Sequence, residues 1–266
     1  MCQPSRVSFS LFEILVKLAE SSSTGSRPSV KNKVLILKNI TREGPGIFEK
    51  ILQENLIFYD VFDLSVDGQL PDSKNYGTLI IMGGPNSAND NSPKIKNEIN
   101  FIKKWIDDKK PFLGICLGLQ LLVKATGGKI VKNPVKEIGF RDTDGNFFEV
   151  DLLKGNQKDP LLYKLGKKIK VFHLHAETVT LTKKMKLWGN GKHCQNQIVK
   201  ARDFAYGLQG HFELTSRMLN VWLLEDPNLK KLDTEKVRTD FKKIKEEYER
   251  TANQIFTNFL KIAGLI

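Results

Sequence analysis

The stretch Lys110-Pro111-Phe112-Leu113-Gly114-Ile115-Cys116-Leu117-Gly118-Leu119-Gln120-Leu121-Leu122 decides how the rest of the chain is read. An apolar run ends at Gly-x-Cys-x-Gly and passes at once into apolar residues at helical spacing. This predicts a strand, a sharp turn and a helix start, with Cys116 at the apex. Gly114 and Gly118 leave room for a backbone that a bulkier residue would obstruct. The bend lifts the sulfur off the end of the sheet and sets it at a helix N-terminus, where unpaired N–H groups and the dipole favour thiolate over thiol. Cysteine chemistry needs that thiolate. The same residues are also compatible with a small buried hydrophobe at position 116, so the nucleophile reading draws on two further segments.

Tyr206-Gly207-Leu208-Gln209-Gly210-His211-Phe212-Glu213 reads as a strand running out to a site. Alternate residues of a strand share a face, so His211 and Glu213 are expected to point the same way. A cysteine nucleophile needs a base for its proton, and the base needs a carboxylate to hold its tautomer and support the imidazolium. His-x-Glu supplies both. The plainer reading is a surface His beside a surface Glu. However, the chain has only four histidines, and this one ends a Gly-rich strand, where α/β enzymes place function. The third segment, Gly77-Thr78-Leu79-Ile80-Ile81-Met82-Gly83-Gly84-Pro85-Asn86-Ser87, is a buried-type strand closing in Gly-Gly-Pro. Backbone N–H groups left free there, paired with the N–H of Leu117, would form an oxyanion hole. Alone, Gly-Gly-Pro reads as an ordinary turn.

Together the three segments resemble the class I (triad) glutamine amidotransferases, over roughly Lys33 to Leu224 and in the family's motif order. Gly-Ile-Cys-Leu-Gly-x-Gln-Leu-Leu is that family's nucleophile signature, and Gly-Leu-Gln-Gly-His-Phe-Glu corresponds to its Gly-x-Gln-x-His-Pro-Glu. The resemblance implies Cys116 as nucleophile, His211 as general base and acid, and Glu213 as the partner that orients it. It implies the Gly84 and Leu117 amides as oxyanion donors and Gln120 as a substrate contact. Phe172-His173-Leu174-His175-Ala176-Glu177-Thr178-Val179 resembles the family's recognition loop, which implies that His175, Ala176 and Glu177 bind the glutamine backbone. Phe212 replaces the usual proline, and Ala176-Glu177 replaces Gly-Asp. Gly210 stands where many members carry a bulky residue, although relatives resembling γ-glutamyl peptidases have Gly there. The implied fold is flavodoxin-like α/β, a mostly parallel central sheet flanked by helices with a small antiparallel extension. The implied chemistry uses no metal and no cofactor.

The chain divides by pattern into an N-terminal extension (1–31), an amidotransferase domain (32–226) and a C-terminal amphipathic helical extension (227–266). Phe9 to Ala19 is interrupted by Glu13 and Lys17, which is too short and too charged for a membrane span and lacks the order of a signal peptide. Residues 1–30 leave room for a targeting role, and the domain is expected in the cytoplasm, where a free catalytic thiol persists. Strands are expected at Lys33–Ile40, Ile57–Leu64, Gly77–Gly83 and Pro111–Ile115, with helices at Gly46–Asn55 and Ser92–Lys109. Shorter strands follow between Gly128 and Leu208. Val237, Phe241, Ile244, Tyr248, Ala252, Ile255, Phe259 and Ile262 recur at steps of four and three, an apolar stripe on one helix capped by Asp233 and ended by Gly264. The stripe is expected to pack on the domain, the alternative being a docking helix for a homodimer or a synthase subunit.

Three cysteines with no Cys-x-x-Cys pair argue against a disulfide framework or a zinc site. Cys2 and Cys194 read as incidental thiols, and His193-Cys194 has no second ligand pair nearby. A net charge of +12 invites a nucleic-acid reading, but the lysines are dispersed rather than interleaved with aromatics. They read as solvated surface, with no specific nucleic acid and no membrane as partner. The expected reaction is hydrolysis of the glutamine amide through a γ-glutamyl thioester, giving glutamate and ammonia. The domain resembles the amidotransferase half of GMP synthase. Neither a Ser-Gly-Gly-x-Asp-Ser loop nor a Gly-x-x-x-x-Gly-Lys loop is present, so an ammonia acceptor is expected on a separate synthase. The alternatives are a γ-glutamyl peptidase using the same triad and a non-catalytic regulatory or scaffold protein.

Overall fold

The computed structural model describes residues 33–266 apart from 67 and 154–157. The N-terminal extension and Cys2 lie outside the described residues. The first half alternates strand and helix: β1 (Val34–Lys38), α1 (Ile47–Glu54), β2 (Tyr59–Asp63), β3 (Thr78–Ile81), α2 (Pro93–Asp107), β4 (Phe112–Ile115) and α3 (Leu117–Ala125). The second half is mostly strand: β5 (Lys129–Gly139), β6 (Glu149–Leu152), β7 (Lys168–Lys170), β8 (His173–Thr180), β9 (Lys186–Asn190), β10 (Ile198–Arg202) and β11 (Ala205–Leu208). Two helices close the chain, α4 (Ser216–Glu225) and α5 (Thr234–Ile262).

Nine strands form one sheet in the order β2-β1-β3-β4-β11-β10-β9-β6-β7, and β5 pairs with β8 as a separate antiparallel ribbon. The β1–β2, β1–β3, β3–β4 and β4–β11 pairs are parallel, and the strands beyond β11 are antiparallel. Strand periodicity explains why the parallel half is apolar throughout. In β1, Val34 and Ile36 enter the core shared with α1, α4 and α5, while Leu35 and Leu37 enter the core under α2 and α3. A sheet covered on both faces has no polar side. Ser92 caps α2 by accepting from the Ile95 amide, with Pro93 in the first turn, and Asp233 caps α5 by accepting from Lys236. The α5 stripe packs on the domain: Phe241, Ile244, Tyr248, Ala252, Ile255, Phe256 and Phe259 are buried.

Two local expectations are corrected. The segment carrying His175, Ala176 and Glu177 is strand, not loop, because β5 pairs with it from Gly139↔His173 to Lys129↔Thr180. His211 and Glu213 do not sit on a regular strand, since β11 ends at Leu208. His211 instead makes an isolated bridge to Phe172, immediately before β8.

Candidate active site

Cys116 is the N-cap residue of α3, at φ 51° and ψ −104°, a conformation costly for any residue but glycine. The bend is held from both sides. A Cβ on Gly118 would overlap the Ile81 carbonyl oxygen, and one on Gly114 would overlap the Gly118 backbone. The strained turn therefore fits only with glycine two positions away on each side. The Cys116 amide donates to the Leu208 carbonyl (2.7 Å), which fixes the bend against the end of β11. Because β11 runs parallel to β4 in register Leu208↔Ile115, the chain leaving β11 passes beside the sulfur. The segment 209–213 can therefore reach it.

His211 and Glu213 meet there. The imidazole Nδ1 lies 2.8 Å from Glu213 Oε1, and both side chains are buried. Backbone bonds to Phe172 (2.8 and 3.4 Å) and the Tyr248 hydroxyl, which donates to the His211 carbonyl (2.7 Å), fix the main chain. Burial opposes a charge on His211. The Glu213 carboxylate and a hydrogen bond with the Cys116 sulfur outweigh it and hold the imidazole well above its ordinary value. Gln209 Nε2 donates towards the same sulfur at 3.7 Å. The arrangement can therefore carry a thiolate–imidazolium pair.

A cavity of about 310 Å³ opens over Cys116, lined by Gly84, Leu117, Gln120, His175, Ala176 and Glu177 among others. Gly84 and Leu117 line this cavity with Cys116, and the amide of neither is engaged in a backbone hydrogen bond among the described residues. Gln120 Nε2 donates to the Glu177 carbonyl (3.2 Å), which ties α3 to β8, and Ser87 Oγ donates to the Glu177 carboxylate (3.0 Å). His175 is set by its cross-strand neighbour: its Nε2 lies 3.0 Å from Glu137, and its Nδ1 is 3.1 Å from the Glu177 carbonyl. Phe212 is fully buried and stacks with Tyr248 at 6.5 Å between ring centroids. Gly210 has a packing reason, since a Cβ there would overlap Val171 and sit 2.9 Å from His173 Cε1.

Glu43, Gln209 and Tyr248 are parts of the site that sequence reasoning did not assign. Glu43 lies in Arg42-Glu43-Gly44-Pro45-Gly46, a turn-forming cluster at the carboxyl end of β1. That position is where a parallel sheet places function, and it was the available signal. Among the described residues, Glu137, His175 and Cys194 bring three metal-ligand atoms within 4.8 Å of one another. Each already has a protein neighbour: Gln197 donates to Glu137 (3.2 Å), and Cys194 contacts the Thr178 hydroxyl (3.1 Å). Burial pushes the Cys194 thiol up to about 11, which disfavours a thiolate ligand.

The profile of the glutamine amidotransferase class-I family matches residues 50–229, more than half the chain. The protein belongs to that family. It is 28% identical over 150 residues to the glutamine amidotransferase-like protein YfeJ of Salmonella typhimurium, a match covering 54% of this chain and 60% of that protein. It is 25% identical over 182 residues to gamma-glutamyl peptidase 3 of Arabidopsis thaliana, covering 63% of this chain and 70% of the relative. A solved glutamine amidotransferase from Methylobacillus flagellatus has the same fold, with a TM-score of 0.77, 24% identity and coverage of 87% and 95% of the two chains. Among the described residues, no helix is long and apolar enough to cross a membrane.

Proposed function

We propose that the chain hydrolyses the side-chain amide of glutamine through a cysteine γ-glutamyl thioester, releasing glutamate and ammonia. The reading is carried by one observation: Cys116, on its strained bend, shares a hydrogen bond with an imidazole whose other nitrogen is 2.8 Å from a buried carboxylate. In this reading the Cys116 thiolate adds to the carboxamide carbon, and the carbonyl electron pair moves onto oxygen, held by the Gly84 and Leu117 amides. The tetrahedral adduct collapses with cleavage of the C–N bond, and the His211 imidazolium gives its proton to the leaving nitrogen. Neutral His211 then takes a proton from water, the hydroxide adds to the thioester, and collapse releases glutamate and restores the thiolate. Glu213 stabilises the imidazolium throughout. The Glu177 carboxylate faces the same cavity as an acceptor for the substrate ammonium, and His175, Ala176 and Gln120 shape its surroundings. Loss of one oxyanion donor would cost about 10²–10³ in rate.

Ammonia released here is proposed to pass to an acceptor bound by a separate synthase, as the likeness to the amidotransferase half of GMP synthase suggests. One observation favours a second reading. The cavity also reaches Arg42, Lys136, Asp226 and Asn228, more room than a glutamine amide and its ammonia need. A γ-glutamyl peptide would use it, with the same triad cutting the γ-linked amide. Both readings are tested by incubating the purified chain with glutamine and, separately, with γ-glutamyl peptides, and measuring glutamate released by wild type and Cys116→Ala. Glutamine turnover abolished by the substitution supports the first reading, and peptide turnover alone supports the second. Glutamate release undiminished in Cys116→Ala would remove the nucleophile assignment and both readings with it.

A further inference from the structure

Among the described residues, Glu43 and Asp226 are the buried acidic side chains of the cavity to which the reaction above assigns no role, and of the two Glu43 has no salt-bridge partner. It is 3% exposed, lines the cavity beside Cys116, and follows Arg42 in the loop after β1. Arg42 is already engaged, bonded to Asp226 at 2.8 Å. The Glu43 carboxylate itself receives no hydrogen bond from the described residues. Its surroundings act on it through burial and through the charges of His211, Arg42, Glu213 and Asp226. Its position relative to the reacting groups is fixed by a missing side chain. A methyl group built on Gly83 would overlap Glu43 Oε2 while lying 2.9 Å from His211 Cε1 and 3.4 Å from Cys116 Cβ. One point in space thus borders the carboxylate, the imidazole edge and the cysteine. Glu213 occupies the Nδ1 side of that ring, while the point that borders Glu43 lies on its Cε1 edge.

We propose that Glu43 is a positioning residue of the reaction centre, a second carboxylate that faces the Cε1 edge of His211 and stabilises the imidazolium on which the Cys116 thiolate depends. The proposal rests on the reading of Cys116 and His211 as the reacting pair. The Cε1–H lies between the two nitrogens that share the imidazolium charge, so a carboxylate there favours the charged ring in a dry site, where charges are screened least. The point at Gly83 that borders the carboxylate lies nearer to the ring Cε1 (2.9 Å) than to Cys116 Cβ (3.4 Å), so ionisation of Glu43 is expected to favour the ion pair. Burial pushes the Glu43 carboxyl up to about 7. The stabilisation is therefore present above that value and withdrawn as Glu43 protonates below it.

The test reads the pair directly and needs no turnover. The rate at which iodoacetamide modifies Cys116, followed by peptide mass spectrometry, is measured from pH 5.5 to 9 in wild type, Glu43→Gln and Glu43→Asp. Wild type is expected to lose reactivity through a step near pH 7 as the pH falls. Glu43→Gln should lack that step and react about tenfold more slowly at pH 8, a loss corresponding to ~1.4 kcal/mol. Glu43→Asp should restore part of both. A Glu43→Gln profile that superimposes on wild type, or a faster reaction, overturns the proposal. Should Glu43→Gln fail to fold, the wild-type His211 Cε1 proton resonance decides. A shift with a midpoint near pH 7 supports the proposal, and a flat signal between pH 6 and 8 overturns it. A chain that hydrolyses neither glutamine nor γ-glutamyl peptides still reports on Glu43 by both measurements, so the two readings fail separately.

Discussion

The absence of a side chain at Gly83 constrains the reaction centre as much as the presence of one at Cys116. Glycines of the elbow face backbone: Gly118 abuts the Ile81 carbonyl, which cannot swing aside, so its smallness is a condition of folding. Gly83 faces side chains instead, the Glu43 carboxylate and the Cε1 edge of His211. Glu43 has a flexible stem and can retreat. The imidazole cannot follow, because Trp222 packs edge-on against it at 5.0 Å, Phe172 stands at 6.4 Å, and its own Nδ1 is held by Glu213. A methyl at position 83 is therefore expected to push the ring rather than unfold the chain. Misplacing a catalytic group by about 1 Å costs on the order of 10² in rate. Gly83→Ala should lose that much glutamate release, while its thermal midpoint moves by only a few degrees. Steady-state kinetics beside a melting curve distinguish this from general destabilisation, and retention of full turnover would show that the ring has more freedom than its packing implies.

At the scale of elements, helix α5 reaches the reaction centre through one hydroxyl. Tyr248 donates to the His211 carbonyl at 2.7 Å and accepts from the Leu214 amide at 3.3 Å, bracketing the His-x-Glu segment from outside the sheet. Tyr248→Phe keeps the ring, which packs with Phe140, Phe212 and Phe241, but leaves the buried Leu214 amide unpaired and the His211 carbonyl with only its 3.4 Å bond from Phe172. An unpaired buried amide costs about 1–3 kcal/mol, so a loss of that size in urea denaturation is expected, together with a several-fold fall in turnover as His211 loosens. A fall in stability with unchanged kinetics would confine α5 to the core. Much of this architecture was legible in sequence, and the reason differs by element. The stripe from Val237 to Ile262 is local and periodic, so the helix and its buried face could be read directly, as could the alternating strands and helices up to α3. What Tyr248 bonds could not be read, since its partner lies 37 residues away and no local pattern encodes it. Strand β8 has no local signature, because its partner is the distant β5 and its polar residues belong to the cavity. Alternation in the His-x-Glu segment suits a regular strand. The bridge to Phe172 achieves the same juxtaposition with an irregular backbone.

The molecule as a whole holds acidic groups in both of its dry regions, and this makes its stability depend on pH in a definite direction. Glu98, on α2, is 1% exposed, and burial pushes its carboxyl up to about 7, despite the hydrogen bond from Asn39 (3.1 Å) and the nearby Lys94 charge. Glu98 Oε1 and Asn39 Oδ1 are both buried without a partner. Two unpaired acceptors on adjoining side chains are relieved when the carboxyl carries a proton that can be donated. For an acid raised in the folded state, the stabilisation is complete below the unfolded value of 4.5 and is lost as the pH rises through about 7. Glu43 has the same sign, and so does His211, held above its ordinary value. His173, which burial keeps well below 6.5, opposes them, contributing stability above that value and losing it as the pH falls. These contributions overlap in wild type and cancel in a difference between wild type and Glu98→Gln, which isolates one group. Glutamine matches the protonated acid in shape, accepts the same Asn39 hydrogen bond and offers its amide to Asn39 Oδ1. It never pays the cost of a buried charge. A shift from 4.5 to about 7 corresponds to roughly 3 kcal/mol. Urea midpoints measured from pH 5 to pH 8 should therefore differ little at pH 5 and diverge up to about pH 7, with Glu98→Gln more stable by about 2–3 kcal/mol at pH 8. Parallel curves across that range would mean that Glu98 stays charged in the folded protein, with Lys94 and Asn39 sufficient to hold it.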